Sequence, residues 1–322
     1  MRTTSTKILR VILDSLGLPA SLRHFLAKSP DLKFSPEGRS RTIDITDVAT
    51  WHEWGKGNHA LGSWRAAGEL LGWRSEGSEF CSYRLTIEAL ARLGFTEIVK
   101  DWDCEIQDVE GIAASKADLA AFSTLDEMAV QCVGYLAGEV SKQNLAASLG
   151  WPGVAVLHMN QTEDYLAYHQ WDRRVFLMNS DGSHHFVAGR YLAARLGVTV
   201  PLTANLHIHR ISSQAVAALV ADFEIFALSD DPSAFGQFHD AMRSYRAGYL
   251  WIDLPRPYTG GRAVFLPRTD HRSMKVASLL REEGHSDLGA HLMDLARIEV
   301  PFQGVQRSVS VGVEAGSAGS AA

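Results

Sequence analysis

The stretch "VFLMNSDGSHHFVAGRYLAARLGVTVPL", Val175 to Leu202, constrains the fold more than any other part of this chain. It begins with an apolar strand-like run, Asn-Ser-Asp-Gly permits a sharp reversal, and a helical pattern follows to Leu196. Gly182 can take positive φ there, and Asp181 or Ser183 can cap the helix. Ala188, Leu192 and Leu196 repeat every four residues with Gly189 beside them, a face able to press closely on a sheet. Gly197 ends the helix, and "VTVPL" starts the next strand.

The neighbouring segments extend this pattern. "VAVLHM" (154–159), "YLAYHQ" (165–170) and "RVFLMN" (174–179) read as strands, with "WDRR" turning the second into the third. Downstream come the strand "VTVPLTANLHIHRI", a helix near 213–222, the strand-like runs "FEIFAL", "YLWIDL" and "RAVFLP", and two helices over 271–297. Upstream, a helix is expected from Lys7 to Leu16, a short one after Pro19 and a strand at "RTIDITDVATW". Residues 51–77 read as a packed irregular segment, and "CSYRLTIEALARLGF", "LDEMAVQCVGYLAGEV" and "KQNLAASLGW" as helices. The expected class is therefore α/β or α+β, with a mainly helical region 1–150 and a mixed-sheet domain 151–305. The tail 306–322, "VGVEAGSAGSAA" at its end, has nothing to bury and is expected to be disordered.

Composition narrows the function classes. With 322 residues, 46% hydrophobic and 21% charged, the chain can bury a sizeable core. No run reaches the roughly 18 apolar residues of a membrane span, and charges interrupt the first residues too often for a signal sequence. No membrane association and a cytoplasmic location are the expectations. Cys81, Cys104 and Cys132 form no CxxC pair, which suits a reduced compartment. The net charge of −6 disfavours nonspecific nucleic-acid binding by the whole molecule. The charge is unevenly spread: Glu97–Glu127 holds nine acids against two lysines, whereas Asp240–Arg281 holds seven Arg and one Lys against three Asp.

The turn at 179–185 carries the leading chemistry. A helix start leaves amides pointing outward, and with the helix dipole these suit an anion, to which Ser183, His184 and His185 can add hydroxyl and imidazole contacts. The segment from Met178 to Leu202 resembles the ParB/sulfiredoxin-like domain superfamily, in which a strand enters a D-G-x-H-R or G-x-H-R turn, then a helix closed by Leu-Gly and a strand with Val-Pro. The resemblance spans about 40 residues, roughly Tyr165 to Leu206. It implies a nucleotide or phosphate site, with a nucleotide such as ATP or CTP and Mg2+ as cofactor, and an NTPase or phosphotransferase activity. By position, Gly182 matches the motif glycine, Ser183 the variable position that is the catalytic cysteine of sulfiredoxins, and His184 the motif histidine. His185 stands where arginine is usual and cannot make a guanidinium's bidentate phosphate contact. The lost cysteine removes sulfinic-acid reduction. On this reading Asp181, Ser183 and His184 are the catalytic candidates, with Asp181 also a metal holder. Asn179, Gly182, His185 and Arg190 bind the cofactor, and Arg173 and Arg174 are further charge partners.

Three other readings compete. His207 and His209 lie two apart on one strand face and could share a metal ion, with His158 and His169 on neighbouring expected strands. Cys81 stands where a helix is expected to begin, which would lower its thiol pKa, and with His184 as base it would suit a papain-like thiol hydrolase. The Arg- and aromatic-rich "MRSYRAGYLWIDLPRPYTGGRAVFLPRTDHRSMK" has the ingredients of a nucleic-acid-binding or nuclease surface.

Overall fold

The computed structural model describes residues 2–36, 41–57, 65–158 and 163–301. The expected tail 306–322 lies outside them. In chain order the elements are α1 (Arg2–Ser15), α2 (Ala20–Leu26), β1 (Glu69–Glu76), β2 (Glu79–Thr86), α3 (Glu88–Ala91), β3 (Gly94–Glu105), β4 (Val109–Ile112), α4 (Leu125–Cys132), α5 (Gly134–Ala137), α6 (Lys142–Leu149) and α7 (Ala155–His158). They continue as β5 (Tyr165–His169), β6 (Val175–Met178), α8 (Ser183–Leu196), β7 (Pro201–Ile211), α9 (Ser213–Asp222), β8 (Phe223–Ser229), α10 (Pro232–Tyr245), β9 (Tyr249–Asp253), β10 (Gly261–Pro267), α11 (His271–Glu282), β11 (Ser286–Asp287) and α12 (Leu288–Ala296). The class is α+β. No helix among the described residues is long and apolar enough to cross a membrane.

The chain forms two compact units, one of residues 1–95, 170–172 and 210–299, the other of 96–169, 173–209 and 300 onward. The first is built on a six-stranded sheet in the order β11-β8-β10-β9-β1-β2, with antiparallel neighbours. Its strands β8, β9 and β10 carry apolar runs at 225–228, 249–252 and 263–266 because both faces are covered there. Phe226, Val264 and Leu266 face a core shared with α2, α10 and α11, while Ile225, Leu250 and Phe265 face Trp51, Trp54, α9 and α12.

The second unit is built on a mixed sheet in the order β3-β7-β5-β6-β4. β5 and β6 make an antiparallel hairpin, whose turn is accommodated by Arg173 at φ +69, and β5–β7 and β4–β6 are parallel. α8 links β6 to β7 and packs on α4, α5 and α6. It buries Phe186, Val187 and Leu192, each worth roughly 1.5–3 kcal/mol of transfer free energy. Gly189 gives α6 room to approach: a Cβ there would stand 2.6 Å from Leu149 Cδ2 and oblige that side chain to shift. The small-residue side of α8 thus meets a helix, where a sheet was expected.

Several upstream expectations are corrected. The region 1–150 contains four strands, and the chain does not divide at 150. The helix expected from Cys81 is instead β2 followed by the four-residue α3; β2 pairs residue for residue with β1 across a turn at Gly77, φ +57. "RTIDITDVATW" is no strand. Thr46 N donates to Asp44 Oδ1 and Asp44 N to Thr42 Oγ1, so side chains satisfy the backbone locally and fold a 3-10 turn over Ile45–Asp47. The strand expected at 154–159 is α7 as far as His158, and Met159 lies outside the described residues. The hairpin 165–178, α8, β7, α9, β8, β9, β10, α11 and α12 follow the sequence reading, whereas α10 and the two-residue β11 were not expected.

Candidate functional site

α8 begins without a side-chain cap. Gly182, at φ +70, occupies the N-cap position, and the first helical bond runs from Phe186 N to Gly182 O at 2.9 Å. The amides of Ser183, His184 and His185 precede that bond and have no intrahelical acceptor. The expected caps, Asp181 and Ser183, do not cap: Asp181 is exposed and Ser183 is the buried first residue of the helix. Glycine is needed at 182 for a second reason, since a Cβ there would stand 2.2 Å from Gly153 O. Two chain segments touch through their backbones at this point.

The helix start opens into a cavity of about 420 Å3. Ser180, Asp181, Gly182, Ser183, His184 and His185 form one wall, Ala114, Ser115 and Lys116 a second, and Tyr135 and Trp151 the aromatic rim. Tyr135 Oη lies 3.2 Å from His184 Nδ1, which orients that ring. The His185 ring stacks on Trp151 at 4.5 Å and 6°. His184 Nε2 and His185 Nδ1 are buried and have no hydrogen-bond partner among the described residues. Burial, followed by the neighbouring His184, lowers the His185 pKa, against which Asp181 acts weakly. Lys116 and Asp181 are the charged side chains of the described lining.

Asn179 is buried and is not among the residues lining the cavity. Its Oδ1 accepts from Ala113 N and Ala114 N, both at 3.2 Å, and its Nδ2 donates to Ala114 O and Asp181 O. One amide side chain therefore joins the β4 loop to the β6 loop, a structural role in place of the expected cofactor contact. Arg190 is likewise committed elsewhere. Its guanidinium donates to Val109 O, Gln107 O and Asp126 Oδ1. Arg174 is buried over the Phe176 ring, and neither it nor the exposed Arg173 lines the cavity.

The two strand histidines share a face of β7, as their spacing required, but their rings go to different partners. His207 stacks on Tyr165 at 4.1 Å, and burial lowers its pKa. His209 Nδ1 is 2.9 Å from Thr96 Oγ1, and its ring lies 4.6 Å from that of His169, its partner in the β5–β7 register. His158 is on α7, with Nε2 2.5 Å from Leu149 O. Cys81 is on edge strand β2, where partial burial and then the carboxylates of Glu76 and Glu79 raise its thiol pKa. The helix start that would have activated it is absent.

A family model matches residues 99–300. The chain belongs to the family of unknown function DUF6685. No curated protein and no solved structure matches it. The DUF6685 segment takes in every described residue lining the cavity and leaves out α1, α2, β1, β2 and α3. Lys116, Tyr135 and Trp151 are the members of this DUF6685 cleft that no sequence motif indicated. They are 28 or more residues from the turn at 179–185 that they border, and the pairing of β4 with β6 and the packing of α5 and α6 on α8 bring them near it.

Proposed function

We propose that the cleft at the start of α8 binds the phosphate of a phosphorylated small molecule or nucleotide. The observation that carries this reading is the uncapped helix start: three amides and the positive end of a 14-residue helix open into a cavity beside Lys116. The imidazoles of His184 and His185 belong to the same wall, with His184 Nε2 and His185 Nδ1 enclosed behind it. Ser183 can add a hydroxyl. This resembles the ParB/sulfiredoxin-like arrangement in placing a Gly-Ser-His turn against phosphate, with Lys116 supplying the positive charge that His185 does not. Asp181 is the sole carboxylate of the described lining, so a divalent ion would enter with the phosphate and be steadied by Asp181. Phosphoryl transfer or nucleotide hydrolysis would be the enzymatic form of this reading, with Ser183 and His184 nearest the transferred group.

The test is a thermal-shift and calorimetric titration with inorganic phosphate, ATP, CTP and ADP, with and without Mg2+. Binding should raise the melting temperature, and Lys116→Ala should weaken it by about 10-fold. Absence of any heat or shift at millimolar ligand would sink the reading.

A further inference from the structure

We infer that the outward face of α1 is the contact surface of a homodimer, in which each copy covers the other's exposed aliphatic ridge. α1 is mounted with its polarity reversed. Asp14 is fully buried: its Oδ1 accepts from Ser21 N at 3.1 Å and its Oδ2 from Ser244 Oγ at 2.7 Å. Just beyond the helix, Tyr245 Oη and Lys275 Nζ both donate to Gly17 O, at 3.1 and 2.8 Å. These bonds to α2, α10 and α11 fix the roll of α1 about its axis. The side left facing outward carries Ile8, Leu9, Val11, Ile12 and Leu16, which are 57, 55, 51, 49 and 72% exposed, and Leu18 follows at 53%.

At about 100° per residue, those five side chains fall within an arc of roughly 160°. From Ile8 to Leu16 the only charged residues are Arg10 and Asp14, and both project from the opposite side. A surface of this kind is self-complementary: two copies related by a two-fold axis can lay ridge on ridge without burying an unpaired charge. An anionic bilayer is the poorer occupant, because an interfacial helix carries Lys and Arg on the flanks of its apolar face, whereas within the span of the ridge, residues 8–16, the one cation is Arg10, partly buried behind it. The area also suits a second copy. At roughly 80–100 Å2 for each half-covered aliphatic side chain, two ridges together remove on the order of 1,000 Å2, the size at which specific interfaces begin.

Sedimentation velocity on the full chain from about 1 to about 100 µM should show a dimer that dissociates on dilution. Ile12→Glu should raise its dissociation constant by at least about 100-fold, while Val130→Glu, at a more exposed aliphatic position on α4, should leave it unchanged. If Ile12→Glu does not fold, oxidised Ile12→Cys should yield a covalent dimer on a non-reducing gel in excess of the parent chain. A monomer throughout that range would overturn the inference. So would a dimer indifferent to Ile12→Glu without an Ile12→Cys cross-link, or co-sedimentation of the monomer with phosphatidylcholine/phosphatidylglycerol vesicles, which would assign the ridge to lipid.

Discussion

His285 shows how much a single side chain can set against its surroundings. It follows α11 in a Schellman turn: Gly284 N bonds Arg281 O at 3.1 Å and His285 N bonds Leu280 O at 2.9 Å. An apolar residue is usual at this position, yet a buried imidazole occupies it, with both ring nitrogens lacking a partner among the described residues. Burial, reinforced by nearby Lys33, pushes its pKa down to about 4. In the unfolded chain it titrates near the ordinary value of 6.5, so between these values the unfolded state binds more protons and stability falls as pH drops. The loss is complete below about pH 4 and reaches about 3 kcal/mol at most, and it is absent above pH 7. His285→Leu should raise stability by about 1 kcal/mol at pH 7 and flatten the decline toward pH 5, measured by urea unfolding at both pH values. The same decline in the variant as in the parent chain would refute this account. His52, also pushed down to about 4 by burial, titrates in the same window and keeps part of the acid sensitivity.

At the scale of the element, α8 joins what was legible in the sequence to what was not. Its limits, the glycine at each end and the run of candidate residues from Asp181 to His185 were readable because turn, cap and helix chemistry act over a few neighbouring residues. The direction of Arg190 was not readable. It donates to Val109 O at 3.0 Å and to Gln107 O at 3.3 Å, and Gln107 Nε2 returns a bond to Arg190 O at 2.7 Å. A phosphate ligand and a clamp on a neighbouring strand look alike in a sequence, since guanidinium serves both. Arg190→Met should therefore lower stability by about 2–4 kcal/mol through loss of the bonds to the residues before and at the start of β4. Phosphate affinity, measured well below the melting temperature, should stay within about 2-fold. A large loss of affinity in a variant of unchanged stability would restore Arg190 to the binding site. The β1–β2 hairpin was missed for a different reason: "LLGWRS" and "FCSYRL" carry the alternation, and Gly77-Ser78 the turn, but the Gly and Trp upstream obscured them.

In the molecule as a whole, long-range strand pairing decides the architecture, and local pattern does not reveal it. The change of pattern near residue 150 is real, yet it is not a boundary, because both sheets recruit strands from either side of it. Leu71 of β1 pairs with Trp251 of β9 in one unit, and Val109 of β4 with Val175 of β6 in the other. Local periodicity carries no record of such partners. Fragments 1–150 and 151–322, expressed separately, should each lack cooperative thermal unfolding by circular dichroism and be digested faster than the intact chain. A cooperative transition in either fragment would contradict the interleaved division. The α+β class itself was accessible, since it needs only the kinds of element and not their pairing.

The side chain of Asn179 has a consequence for anything that enters the cleft beside α8. It fastens the loop after β4 to the loop after β6 with three bonds and braces its own loop with a fourth, and Gly182 rests on Gly153 a short distance away. Both rims are thus already in place before a guest arrives. The guest surrenders its own translational and rotational freedom, while the host has almost none left to give up, so little of the interaction is consumed in ordering the protein.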